Sequence, residues 1–128
     1  MKMSRKQKGY IQLAINMSKQ SSCKFQHGAV LVKGGTIVNA SYNKPEYNSF
    51  ASRFNEYYPT RHAEIGAILG ISRNSTKGSV VYVIRVNNFG ETRCSKPCPM
   101  CQKVMKFCGV KKVYYSTSVS EEIGCLKL

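Results

Sequence analysis

The chain has 128 residues, 42% of them hydrophobic, and its 20 Lys and Arg face only six acidic residues for a formal net charge of +14. That length suits one domain, residues 1–128, with one core; the spread of apolar residues excludes a disordered tail, and no apolar run approaches the roughly 20 residues of a membrane span. So basic a surface attracts polyanions, which makes a nucleotide or single-stranded nucleic acid the expected partner and a solvated basic face the plain alternative.

Taken in chain order, Tyr10, Ile11, Ala14, Ile15 and Met17 recur at three- and four-residue intervals, so the stretch from Ser4 to Gln20 is predicted as an amphipathic helix with Ser4 as N-cap. Ala29 to Val32 and Thr36 to Tyr42 read as strands joined through Gly34 and Gly35, a pair suited to a tight hairpin turn. The stretch from Asn43 to Arg61 reads as a loop with a helical turn. A helix is expected from His62, with Gly70 and Asn74 as breakers, and then a β-branched strand from Val80 to Val86. A further helix is predicted near Pro97, with Cys101, Val104, Met105 and Cys108 inward and Gly109 as its cap. Val113 to Ser116 is the fourth strand, and the last dozen residues carry no clear pattern. Strands alternating with helices imply a sheet between helical layers.

Six cysteines occur without a secretory leader, and two of them form a C-x-x-C, which in a reducing compartment points to metal or redox chemistry. The chain is therefore expected to be soluble and intracellular, cytoplasmic or nuclear. Two motifs stand out, His62-Ala63-Glu64 and Pro97-Cys98-Pro99-Met100-Cys101, each at a predicted helix start. A catalytic zinc takes three N or S ligands and keeps the fourth position open to water; His62, Cys98 and Cys101 supply three. Glu64 lies two residues after His62, near enough to reach such a water and suited to be a general base. Cys94 as a fourth ligand would close the site into a structural one, giving a non-catalytic nucleic-acid-binding module. Cys23, Cys108 and Cys125 read as small buried apolar residues.

The H-x-E and P-C-x-x-C pair resembles the cytidine and deoxycytidylate deaminase superfamily, and the resemblance covers most of the chain. His27-Gly28-Ala29-Val30-Leu31-Val32 looks like the family's first core strand and Ser41-Tyr42-Asn43-Lys44-Pro45 like the end of its second. The resemblance implies a three-layer α/β/α fold, a mixed four- to five-stranded sheet between helices, and often a homo-oligomer; the chain is expected to depart from it in a truncated C-terminus, with any fifth strand short. It also implies Zn2+ as cofactor and hydrolytic deamination in which Glu64 moves the protons. Asn43 would bind the substrate, and the Ala63 N–H and the carbonyl near Pro97 would hold the base edge.

The substrate stays open between cytosine in a single strand, free deoxycytidylate and adenosine in tRNA. The Lys44–Arg61 stretch carries Tyr47, Phe50, Phe54, Tyr57 and Tyr58 with Arg53 and Arg61. Aromatic faces stack on unpaired bases while Arg tracks phosphates, so Tyr57 and Arg61 are read as substrate-binding; the same rings would equally serve to pack the loop onto the core.

Overall fold

The computed structural model describes residues 3–47 and 60–128, with the backbone alone at residues 45–47, 60 and 61. Helix α1 spans Arg5–Ser18, two residues short of the predicted end. Its start is a capping box: Ser4 Oγ accepts from the Gln7 N–H at 3.2 Å and Gln7 Oε1 accepts from the Ser4 N–H at 2.9 Å. Tyr10, Ala14 and Ser18, four apart and so on one face, are its buried residues.

Strands β1 (Gln26–Lys33) and β2 (Thr36–Tyr42) form the predicted hairpin. Gly34 and Gly35 have φ values of 58° and 78°, the left-handed pair that a two-residue turn of this hand requires. The stretch read as a loop instead begins and ends as a short antiparallel ribbon, β3 (Lys44–Tyr47) on β4 (Thr60–Arg61), whose alternation is too brief to show in the sequence. The helical turn and aromatic platform expected there fall on residues 48–59, outside the described residues.

Next come α2 (Ala63–Ile68) and the single-turn α3 (Arg73–Thr76), which holds Asn74 rather than being broken by it. Strands β5 (Val80–Val86) and β6 (Thr92–Arg93) lead to α4 (Pro99–Cys108), which Gly109 caps with φ 92°. The chain then runs through β7 (Lys112–Ser116) and β8 (Ile123–Lys127). The sheet order is β2-β1-β5-β7-β8, with β6 on β5; only the β5–β7 pair is parallel. Six strands exceed the expected four to five because β6 adds two residues beside β5 and the patternless C-terminus pairs along β7.

Strand alternation gives the sheet two apolar faces. Ala29, Leu31, Val81, Val83 and Val113 face α2 and α4 and pack on Ile65, Met100 and Val104. Val30, Val32, Tyr82, Ile84 and Tyr114 face α1 and pack on Tyr10 and Ala14. The resulting α/β/α sandwich buries side chains such as Leu31 and Ile65 completely, each contributing about 1.5–3 kcal/mol. No described helix is long and apolar enough to cross a membrane.

Candidate active site

The α2/α4 face of the sheet ends in a cleft of about 400 Å³. Two helix starts deliver the chemistry. His62 is the N-cap of α2 and Cys98 the N-cap of α4, and neither spends its side chain on capping, so both side chains project from the helix ends. Cys101, one turn into α4, is fully buried. The His62 nitrogen and the two sulfurs all lie within 4.8 Å of one another. His62 Nδ1 is 3.2 Å from Cys101 Sγ and 3.9 Å from Cys98 Sγ.

Those separations fit one zinc ion. Ligand bonds of ~2.0–2.3 Å in tetrahedral geometry put neighbouring donor atoms ~3.3–3.8 Å apart, which the two distances bracket. The donor set, two thiols and an imidazole, is the one zinc favours. Cys94 is exposed and stands apart from this group among the described residues.

Local electrostatics ready Cys98 alone as a thiolate ligand; Cys101 and His62 hold their protons, which an incoming metal would displace. Without an ion, the Cys101 thiol donates to Cys98, which holds Cys98 down at about 4 despite partial burial and pushes Cys101 well up. The His62 imidazole is pushed up, first by its hydrogen bond to Cys98 and further by the nearby Glu64 carboxylate. Glu64 is only 4% exposed, lines the cleft, and lies close enough to Cys101 to raise that thiol too. A buried carboxylate beside a metal-ligand set is placed to exchange protons with whatever reacts there.

A family model of the cytidine and deoxycytidylate deaminase zinc-binding region matches residues 4–117. The chain belongs to this deaminase family. Its His62, Cys98 and Cys101 group is consistent with the Zn2+ binding of the family. Among solved structures, the dCMP deaminase of cyanophage S-TIM5 in apo form is 31% identical over 91% of this chain and 86% of that one, with a TM-score of 0.65. The same phage enzyme in complex with dCMP and dUMP aligns at 28% identity over 89% and 83% of the two chains, with a TM-score of 0.62. A cytidine deaminase of Burkholderia pseudomallei, 18% identical over 98% and 93% at a TM-score of 0.66, shares the fold. Curated protein sequences contain no match to the chain.

The remaining expected site residues divide. Ala63 and Asn43 line the cleft. The Asn43 amide ties down the entry to β1, Oδ1 accepting from the His27 N–H at 2.9 Å and Nδ2 donating to the Phe25 carbonyl at 2.7 Å, and keeps one N–H and one lone pair. The Pro97 carbonyl accepts from Gln102 Nε2 at 2.8 Å, which leaves one lone pair. Arg61 is placed by its backbone alone, in register with Lys44, and Tyr57 lies outside the described residues.

The cleft also holds residues the motifs did not mark: Cys23, Lys24, Phe25, His27, Ser95 and Lys96. Cys23, Cys108 and Cys125, expected to be buried, are each half-buried; Cys23 stands at this wall because the α1–β1 connection passes beside the cleft. Burial lowers the His27 pKa and favours the neutral ring. Alternation was the available signal for His27, which shares a face with Ala29 and Leu31 and therefore points toward α2.

Proposed function

We propose that residues 1–128 act as one deaminase domain that hydrolyses the amino group of a cytosine base carried on a nucleotide, giving uracil and ammonia. The observation that carries this reading is Glu64, a buried carboxylate facing the same cleft as His62 and Cys98. Zinc held by His62, Cys98 and Cys101 would supply a Lewis acid able to activate water near neutral pH.

The protein's own groups account for the rest. Glu64 takes a proton from the water that adds to C4 and passes it to ring nitrogen N3, then takes the second proton from the new C4 hydroxyl and passes it to the departing amine, so that water and cytosine leave as uracil and ammonia. The Ala63 N–H and the second lone pair of the Pro97 carbonyl offer a donor and an acceptor to the base edge. Lys24, Lys44 and Lys96 on the walls suit a phosphate-bearing substrate. Cytosine is favoured over adenine by the 31% identical phage relative, a dCMP deaminase.

The test is Glu64→Ala. The variant should keep one zinc per chain by elemental analysis while ammonia release from cytosine substrates, measured over dCMP, cytidine, DNA and RNA strands and tRNA, falls at least ~100-fold. Full activity in that variant would overturn the reading.

A further inference from the structure

Phe25 stands at the mouth of the cleft with 51% of its surface exposed, an unfavourable position for a large apolar ring in a free protein. It is not there by slack. Its carbonyl accepts from Asn43 Nδ2 at 2.7 Å and lies 3.3 Å from His27 Nδ1, so the backbone is tied to the strand start while the ring is left outward.

Cations surround the ring. The Arg85 guanidinium carbon is 4.4 Å from its centroid and the Lys24 ammonium 5.5 Å. Arg85 reaches it because β1 and β5 pair His27 with Arg85, on the face that carries the site. Lys24, Lys44 and Lys96 line the cleft, and Glu64 at its floor is the only carboxylate among the described lining residues. A mononucleotide with its base at Glu64 brings one phosphate and no second base. Three wall lysines and an outward aromatic exceed what it can use; a strand supplies both further phosphates and a neighbouring base.

We propose that Phe25, extended by Arg85, is the stacking platform for the base next to the target cytosine, so that the preferred substrate is a cytosine within a single strand. Stacking on an aromatic ring needs no particular base, and the Arg85 guanidinium over the Phe25 ring is itself a planar cation on which a base can stack. The identity of the target base rests on the cytosine reading above; the platform itself does not.

Two measurements decide it. In the first, kcat/KM is compared for dCMP and for a short thymidine strand with one central cytosine. The strand is expected to exceed dCMP, and Phe25→Ala to lower the strand-to-dCMP ratio about tenfold, with Phe25→Trp restoring it. A wild-type ratio at or below one, or a Phe25→Ala effect equal on both substrates, overturns the proposal. In the second, the Glu64→Ala protein binds the same strand carrying a fluorescent label, read by anisotropy. Phe25→Ala should weaken binding about tenfold, and three lysine–phosphate contacts should give a slope of about −2 in log K against log salt. Binding that ignores Phe25 overturns the platform. Absence of ammonia from every cytosine substrate defeats the catalytic reading alone, and the binding measurement then decides the platform by itself.

Discussion

Ser116 donates its backbone N–H to the Ser95 hydroxyl at 2.7 Å, and the two hydroxyl oxygens lie 2.8 Å apart in a buried seam behind the cleft. Ser95 Oγ donates onward to the Val83 carbonyl at 2.7 Å, and Ser116 Oγ donates to the Arg93 carbonyl at 2.7 Å while accepting from the Arg85 N–H at 3.0 Å. The pair thereby clips the segment leading to Cys98 onto β5 and β7. Ser95→Ala strands the buried Ser116 N–H, which costs about 1–3 kcal/mol. A lower urea midpoint and weaker zinc retention in competition with a chelator are expected. An unchanged midpoint would show that the clip carries no load.

Gly28 is where α1 touches β1. A Cβ there would run into the Ala14 carbonyl and stand 2.6 Å from the Ser18 nitrogen, both helix backbone. Gly28→Ala should therefore destabilise by at least about 1–3 kcal/mol, since neither element can yield without moving the other. Gly9, exposed on the same helix with nothing within 4 Å of where a Cβ would stand, gives the opposite sign. Gly9→Ala should stabilise by about 0.5–1 kcal/mol in the same denaturant titration.

The hydrogen bond from the Cys101 thiol to Cys98 predicts selective alkylation of the metal-free protein. Cys98, held at about 4, is a thiolate throughout the range above that value and loses its charge only as the pH falls through it; Cys101, pushed up, stays a thiol. Iodoacetamide at pH 6 should modify Cys98 and spare Cys101, as mapped by peptide mass spectrometry, and stoichiometric zinc should protect Cys98. Equal labelling of both at pH 6 would contradict the hydrogen bond between them.

Asn43→Ala removes the acceptor for the His27 N–H and the donor to the Phe25 carbonyl together. A loss of about 1–3 kcal/mol is expected by thermal or urea unfolding. Asn43→Asp keeps the acceptor and should retain more of the stability than Ala, which separates the two bonds.

Local chemistry was legible from the residues. Ser4 announced an N-cap, Gly34-Gly35 a hairpin, and the two candidate ligand motifs fell at helix starts, because caps, turns and short motifs depend on a few adjacent residues. Strand β8 escaped the same reading, since an edge strand with half-buried residues on both faces shows no alternation, and Gly124 sits there only because the Tyr115 ring leaves no room for a side chain. The sequence by itself thus marked His62, Cys98 and Cys101 as a candidate ligand set with Glu64 beside it, and determined the three-layer order of elements. Tertiary structure alone decided which distant segments wall the cleft: the β1–β5 register sets His27 opposite Arg85, the Asn43 amide ties down the Phe25 backbone, and the serine pair holds the segment that carries Lys96. Such contacts join positions tens of residues apart, and they arise from strand register and hydrogen bonds that no local pattern of residue types records.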